Sequence, residues 1–438
     1  MKFLKRLGLV VFLMVALAAW VMMPWQGALA LLLLLALWLY LLRSGAQARS
    51  VAAVGISTLT QRLGSSAVIV VGIAGVVGVL VALLAMAEGY RETLRNSGSL
   101  DTAIVLRGAS AAEVASVLSR EDITQIAQAA GVARNDKGEP LASDETVVAA
   151  NMPIKGGKPG EEGSAQVRGV GDAAFAVRPQ IRIIEGARFK PGLRELIVGK
   201  GAARQFAGLT VGSQIRLGNQ PYTVAGVFAS GDSMESEIWG DATVINDTYR
   251  RGSSRNSVTV RLTDAKAFAD FKAALEANPQ LKIDASTTLD FFSKQSEKMV
   301  QVLRVIGITV GAIMAVGAVF GALNTMFAAV ATRAREIATL RAIGFRGLPV
   351  VVAVMLETML LALVGGLIGG GLAYLIFNGF QASTMAAGSV GKLSFELRVS
   401  PGLLWEGIKW ALAIGFIGGL FPAVRAASLP VTTALREA

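Results

Sequence analysis

The sequence contains no cysteine and no histidine. Structural disulfides and metal sites built from these residues are therefore excluded, as is catalysis that needs a Cys nucleophile or a His base. Charged residues are also few, at 17% of the chain, and acidic residues (31) are scarcer than basic ones (42). Low charge together with 53% hydrophobic content indicates a membrane protein.

The excess of basic residues lies outside a nearly neutral central block. Residues 89–298 hold 26 Lys and Arg against 25 Asp and Glu. Twelve of the other 16 basic residues flank apolar runs: Lys2, Lys5, Arg6, Arg43, Arg49, Arg62, Arg333, Arg335, Arg341, Arg346, Arg425 and Arg436. Because Lys and Arg are retained on the cytoplasmic side of spans, the net charge of +11 reports membrane topology. Nucleic-acid binding, the rival interpretation, would need a basic patch on a soluble face.

The stretch 299–377 organises the rest of the chain. Residues 305–331 carry no charged side chain, which exceeds the ~20 residues needed to cross a bilayer. A short basic segment, ATRAREIATLRAIGFRG, follows them, and a second apolar run then continues to residue 377 with Glu357 as its only charged residue. Two spans joined by a short Arg-rich connector place that connector in the cytoplasm.

The first 50 residues predict a helical hairpin with both ends in the cytoplasm. Basic residues flank two apolar runs, and Pro24, Trp25 and Gly27 form an interfacial turn between them. The alternative is a secretory signal peptide, because Ala28-Leu29-Ala30 resembles a cleavage site. Cleavage there would leave only about a dozen apolar residues, too few for a span.

Residues 51–64 predict a short amphipathic helix in the inner membrane interface, with a plain linker as the alternative. The block from residue 89 to about 288 mixes alternating and helical patterns, which indicates two α+β subdomains. Within it, Gly199-Lys200-Gly201 is a turn and not a phosphate loop, because the Walker pattern needs Ser or Thr where Gly201 stands. No proline interrupts residues 289–338, so we expect one helix of roughly 70 Å, about twice the hydrocarbon thickness.

The predicted fold is therefore a membrane α-helical protein with an inserted α+β extracytoplasmic domain and about six transmembrane helices. The predicted segments are an N-terminal hairpin (1–50), an interfacial helix (51–64), a first core span (65–88), a periplasmic domain (89–288), a stalk with the second core span (289–331), a cytoplasmic coupling helix (332–347), a third core span (348–378), an outer loop with some strand character (379–401), a fourth core span (402–425) and a cytoplasmic tail (426–438).

Residues 51–438 resemble the permease subunits of the MacB/FtsX-like (type VII) ABC transporters. The matching stretches are VGISTLTQRLGSSAVIVVGIAGVVGVLVALLAMAEGY, ELIVGKGAARQFAGLTVGSQIRLGNQPYTVAGVFASG with WGDATVI, NTMFAAVATRAREIATLRAIGFR and FPAVRAASLPVTTALREA. Three features depart from the family pattern. The N-terminal hairpin is additional to the four-span core, Ala338 stands where Gly is usual, and the spacing from Pro430 to Ala434-Leu435-Arg436 is one residue longer.

The resemblance implies that the connector is a coupling helix that docks on a separate ATP-binding cassette subunit. That partner would bind ATP and Mg, since this chain has no Walker motif and is expected to bind no cofactor. The docking residues would be Arg333, Arg335, Glu336, Ile337, Leu340, Arg341, Ile343, Gly344 and Phe345. The alternative is a loop that only fixes topology.

Four residues are candidates for transmembrane packing or a dimer seam: Gly317, Gly321, Asn324 and Glu357. Small residues recur at 317–321, 366–370 and 415–419, and we expect one of these faces to form the seam. Glu357 is costly inside a span, and we expect it to pair with an Arg of the connector or of a neighbouring helix. A coupling role for Glu357 is the second interpretation.

The implied function is ATP-driven shape change of the periplasmic domain, for efflux of a periplasmic substrate or extraction of a lipoprotein or lipid. The alternative is an FtsX-like signalling device that activates a cell-wall hydrolase or senses antimicrobial peptides. No catalytic or metal site is expected. Expected partners are the ATPase subunit, a second copy or a related permease, membrane lipids, and a periplasmic adaptor, lipoprotein or hydrolase. The expected location is the bacterial inner membrane, with both termini cytoplasmic.

Overall fold

The computed structural model describes residues 19–110, 112–385 and 390–428. The described chain divides into two compact units. Of the described residues, the helical unit comprises 19–85, Arg304–Asn378 and 398–428, and the sheet unit comprises those within Met86–Leu303 and Gly379–Leu397.

Twelve described α-helices follow one another in the chain. They are α1 Trp25–Leu41, α2 Arg43–Ser57, α3 Leu63–Asn96, α4 Arg120–Gln128, α5 Ala173–Val177, α6 Lys200–Gln205, α7 Ala242–Thr248, α8 Ala267–Glu276, α9 Thr288–Thr332, α10 Ala334–Ala342, α11 Gly347–Phe377 and α12 Pro401–Ser428.

Four of these helices, α3, α9, α11 and α12, are long and apolar enough to cross a membrane. Helices α1 and α2 pass the same test only as a pair, and the chain bends by 97° between them. The bend lies at Leu42, whose backbone is extended, and it leaves α1 with 17 residues, near the lower limit for a span. Most of the first predicted span of the hairpin lies outside the described residues.

Two predicted helix boundaries were wrong. The interfacial helix begins at Arg43 and ends at Ser57, earlier than the predicted 51–64, and a short 3-10 turn follows before α3. The long helix α9 has 45 residues and stops at Thr332, because Arg333 leaves the helical conformation, with φ −102° and ψ 8°. The connector is therefore a separate helix, α10.

Glycines let the core helices of the helical unit pack closely. A Cβ placed on Gly369 of α11 would lie 2.9 Å from Cα of Ala74 in α3. One on Gly366 would lie 2.8 Å from Cβ of Ala411 in α12, and one on Gly419 would lie 2.7 Å from Oγ1 of Thr358. Such approaches are possible only without a side chain. The small-residue faces at 366–370 and 415–419 are thus used within this chain.

The sheet unit is built on ten strands: β1 Thr102–Arg107, β2 Ala142–Pro153, β3 Glu162–Val170, β4 Arg182–Gly186, β5 Glu195–Gly199, β6 Gln214–Leu217, β7 Gln220–Ala229, β8 Glu237–Asp241, β9 Ser257–Arg261 and β10 Ile283–Thr287. Their order is β10-β1-β9-β2-β3-β8-β5-β7-β4, with β6 paired to β7. The β3–β8 and β5–β7 pairs are parallel, and the sheet is mixed.

Two apolar cores lie along this one sheet. The first joins β1, β9 and β10 to α4 and α8, with Phe271 and Ile126 fully buried. The second joins β2, β3 and β5–β8 to α6 and α7, with Phe206 and Tyr222 fully buried. The two cores correspond to the two predicted α+β subdomains, and the predicted class of a membrane protein with an inserted α+β domain is confirmed.

The predicted outer loop between α11 and α12 contributes a hairpin to the sheet unit. Its strands are β11 Gln381–Met385 and β12 Lys392–Glu396. The ring of Phe395 meets that of Tyr90 edge-on, with centroids 5.5 Å apart. The backbone N–H of Ser394 donates to Oγ of Ser236 at 2.9 Å. This hairpin is therefore packed structure and not a free loop.

Candidate functional site

The connector between α9 and α11 is a nine-residue helix with a glycine turn at its end. Arg333 caps the start of α10, and Ile343 follows its last residue. Gly344 then adopts φ +108°, a conformation that L side chains rarely adopt. This turn ends α10 and lets the chain enter α11 after Arg346.

The apolar face of the connector is packed against the chain's own helices. Ile337 is buried, with 3% exposure. Leu340 and Phe345 pack against a small cluster formed by Val51 and Ala52 of α2 with Ala353 of α11. Ile337 is therefore turned away from solvent, while Leu340 and Phe345 are partly buried against α2 and α11.

The opposite face of the connector is open. Arg335, Glu336 and Gly344 are exposed, and Ile343 is the most prominent apolar side chain, with 69% exposure. Arg341 is partly buried and engaged in an interaction of its own. The predicted docking residues thus fall into two groups, one facing the chain and one facing outward.

Glu357 lies buried in α11 and pairs with the start of the connector. Its Oε2 accepts a hydrogen bond from Nη1 of Arg333 at 3.1 Å, while Nε of Arg333 donates to the exposed Glu336 at 3.0 Å. The pair lies against the backbone of α2 at Gly55, where a Cβ would be 2.9 Å from Oε2 of Glu357. The structure therefore contains the expected pairing between Glu357 and a connector arginine.

The third small-residue face, on α9, has open space beside both of its glycines. A Cβ on Gly317 or on Gly321 would find no atom within 4 Å. Asn324 is exposed on this helix, as are the apolar side chains of Ile313 (68%) and Phe320 (67%). An exposed amide in a span favours a partner that can hydrogen-bond with it.

Lys409 of α12 links the fourth core span to the N-terminal segment. Its Nζ donates to the carbonyl of Val21 at 2.6 Å and pairs with Glu406 at 2.7 Å. A second hydrogen bond joins the same segments, because Nε1 of Trp20 donates to the backbone carbonyl of Lys409 at 2.9 Å. Lys409 is only 4% exposed, so its charge is satisfied almost entirely by these groups. The i,i+3 spacing of Glu406 and Lys409 is visible in the sequence, but the contact between Lys409 and the N-terminal segment is not.

The sheet unit contains a buried ion network centred on Arg168 of β3. The guanidinium makes five hydrogen bonds of 2.7–3.0 Å to three carboxylates: Glu113, Glu145 and Glu237. Arg178 adds a second guanidinium on Glu145. The network lies where β2 changes partner, since Glu145 pairs with β9 and the next residue pairs with β3. It therefore joins the two apolar cores.

The pKa values of this network follow from burial and charge. Burial alone would raise the pKa of Glu145, but Arg178 and Arg168 outweigh it and hold that pKa below its usual value. Burial would lower the pKa of Arg168, but Glu113 and Glu237 raise it well above its usual value. Near neutral pH Glu145 and Arg168 are therefore charged. Sequence analysis missed the network, although an Arg in the buried second half of β3, next to Val167, was a signal.

A polar cavity of about 460 Å³ lies beside this network. Arg178, Gln180, Thr259 and Arg261 are among the residues that line it. Arg261 pairs with Asp101 at 3.4 Å. Within residues 19–110, 112–385 and 390–428, no group of three or more acidic side chains is arranged to hold a metal ion.

Comparisons with known proteins agree with this architecture. Residues 66–278 match the MacB-like periplasmic core domain, and residues 308–431, which include the connector, match the FtsX-like permease C-terminal region. The periplasmic region of MacB from Actinobacillus actinomycetemcomitans covers 47% of this chain and 96% of its own, at 13% identity and a TM-score of 0.34, too low to carry an argument.

Two curated relatives are similar in sequence. The macrolide export ATP-binding/permease protein MacB of Photorhabdus laumondii is 29% identical over 292 residues, covering 63% of this chain and 44% of that protein. MacB 1/2 of Paracoccus denitrificans is 27% identical over 391 residues, covering 84% and 55%. The chain thus spans about half the length of these relatives.

Proposed function

The chain belongs to the MacB/FtsX-like permeases of ABC transporters, and from this premise we propose that it transmits ATP-driven motion to its periplasmic domain. It is an inner-membrane protein with a periplasmic domain. An ATP-binding cassette on a separate subunit holds ATP and Mg and hydrolyses the ATP. This chain converts the resulting movement into a change of shape outside, and both of its termini are cytoplasmic.

The observation that carries the proposal is the open face of the connector. A short helix between two spans presents Ile343 at 69% exposure beside the exposed Arg335. An exposed large apolar side chain with a charged surround suits docking into a groove on a protein partner. The complementary groove has an apolar pocket for Ile343 and a carboxylate for Arg335.

Helix α9 is the element that we propose carries the movement of the connector to the other end of the helix. It begins at Thr288, directly after β10, and runs without a break to Thr332, one residue before the connector. At ~1.5 Å per residue its 45 residues span roughly 68 Å, about twice the hydrocarbon thickness. A displacement of the connector therefore acts directly on the end of a rigid element.

A second copy of the chain completes the transporter in this proposal. Of the glycines in the three small-residue faces, only Gly317 and Gly321 would place an added Cβ with no neighbouring atom of the described chain within 4 Å. Glycines permit close helix approach, and Asn324 on the same helix offers an interhelical hydrogen bond. This face of α9 is therefore the proposed homodimer seam, and a related permease is the alternative occupant.

The proposed work of the periplasmic domain is efflux of a periplasmic substrate or extraction of a lipid-anchored one. Substrate does not pass through the bilayer, because the spans contain no row of charged residues suited to a hydrophilic channel. The signalling alternative uses the same motion to activate a cell-wall hydrolase. The two are separated by the periplasmic partner that purifies with the chain.

Exchange of one exposed side chain tests the docking face. In the variant Ile343→Asp, a charge faces the proposed apolar pocket, and we expect recovery of the ATPase subunit with the tagged chain to fall at least about tenfold. The matched control is Ile184→Asp, the same exchange at a 56% exposed position of β4. Equal ATPase recovery with both variants would refute the assignment of the connector as the docking site.

A further inference from the structure

Three helices meet at the pair formed by Glu357 and Arg333. Glu357 belongs to α11, Arg333 begins the connector, and α2 passes directly over both at Gly55. A Cβ on Gly55 would lie 2.9 Å from Oε2 of Glu357 and 3.2 Å from Nη1 of Arg333. The side chain of Arg333 is only 11% exposed and that of Glu357 5% exposed. The pair is thus enclosed by the backbone of α2.

The connector is held at both ends. Its start is fixed by this buried pair, and its end is fixed by Leu340 and Phe345, which pack on Val51 and Ala52 of α2. A carboxylate inside a span is costly unless it is paired. The arrangement in which Arg333 and Glu357 pair is therefore strongly favoured over any in which they separate. The contact between Arg333 and Glu336 is solvent-exposed and contributes little.

We propose that Glu357 is a positioning residue that locks the connector, α2 and α11 into one body. By holding Arg333, it turns Ile337 and Leu340 toward the chain and presents Ile343 outward. Movement of the docked connector is then carried by α2 and α11 as well as by α9. The inference rests on the proposed function for the identity of the docked partner, but the locked geometry itself does not depend on that partner.

The chain has no cysteine, so spin labels can be placed without removing native residues. Labels at Ser50→Cys on α2 and Thr339→Cys on the connector, both exposed positions, report the distance between the two helices by electron paramagnetic resonance. We expect one narrow distance distribution in the otherwise native chain and a clearly broader one with Glu357→Gln. The control Glu336→Gln removes only the exposed partner of Arg333 and should leave the distribution narrow. An unchanged distribution in Glu357→Gln would overturn the proposal.

A second pair of variants tests the same lock without touching a charge. Gly55→Ala places a methyl group against the carboxylate of Glu357 and should broaden the distribution, whereas at Gly64 an added Cβ meets no atom within 4 Å and Gly64→Ala should not. If Glu357→Gln fails to fold, the two glycine variants still test whether Glu357 positions the connector. Equal widths for the two glycine variants would contradict the proposal.

ATPase binding then separates the two proposals. With the partner present, Glu357→Gln should weaken docking by about tenfold, the effect of one charge-assisted hydrogen bond. If the native chain binds no ATPase subunit, the proposed function fails, while the spin-label distances still decide whether Glu357 positions the connector. If Glu357→Gln broadens the distances but docks normally, the locked body exists without setting the docking face, and the positioning role is refuted.

Discussion

Removal of the central guanidinium should destabilise the periplasmic domain far more than removal of a surface arginine. In the variant Arg168→Met, five hydrogen bonds are lost and three carboxylates are left with Arg178 as their only guanidinium. Arg168 is 1% exposed, so the pairs that are lost are buried ones. Breaking a buried ion pair from one side costs about 3–5 kcal/mol, and we expect a loss of that size.

Urea unfolding of the full chain in detergent, followed by pulse proteolysis, measures this loss. With a slope of about 2 kcal/mol per molar urea, the midpoint should fall by about 1.5–2.5 M. The control is Arg261→Met, whose pair with Asp101 is 3.4 Å long and whose side chain is 34% exposed. Its shift should stay below about 0.5 M. Equal shifts for the two variants would refute the structural importance of the network.

The pH dependence of stability should change sign in the same variant. The lowered pKa of Glu145 gives the native chain stability that is present above the usual pKa and lost as the pH falls through the lowered value. In Arg168→Met only Arg178 remains beside the three carboxylates. Buried carboxylates that have lost a cation take up protons on folding, so stability should rise as the pH falls from 7 to 5. Over that range the native chain should stay level, because the lowered pKa of Glu145 lies below it, and equal pH profiles for the two proteins would contradict this account.

Three further predictions concern packing. Gly369→Leu, which meets the backbone of α3, should aggregate or elute abnormally in size-exclusion chromatography, whereas Gly371→Leu, with no atom within 4 Å, should elute normally. Gly391→Ala places a methyl group 2.6 Å from the backbone N of Gln166 in β3. We expect it to lower the free energy of unfolding of the domain by about 1–3 kcal/mol, measured by urea unfolding. Gly317→Cys should form a disulfide-linked dimer in oxidised membranes, whereas Leu375→Cys, exposed on α11, should not; equal cross-linking would contradict the proposed seam.

The membrane architecture could be predicted because its signals are local. Long apolar runs with few charged residues identify α3, α9, α11 and α12, and the alternating pattern of the central block identifies its strands. Helix ends were less accurate. The break at Arg333 occurs within a sequence of good helix formers, at the residue that pairs with Glu357, 24 positions away.

The remaining features depend on contacts distant in sequence. The connector carries apolar residues at helical spacing, and nothing in that spacing tells which face α2 covers and which stays open. The network around Arg168 brings together side chains separated by up to 69 positions from it. Periodicity identifies elements, but it cannot assign partners to buried charges. The expected pairing of Glu357 came from the cost of a charge in a span, which needs no knowledge of the partner.

The most direct test is affinity purification of the chain from its native membranes in mild detergent, with mass spectrometry of the eluate and an assay for vanadate-sensitive ATP hydrolysis. We predict that an ATP-binding cassette subunit elutes with the chain and that ATP hydrolysis accompanies it. Recovery of the chain after crosslinking with no such subunit and no hydrolysis would contradict the proposal that it transmits ATP-driven motion.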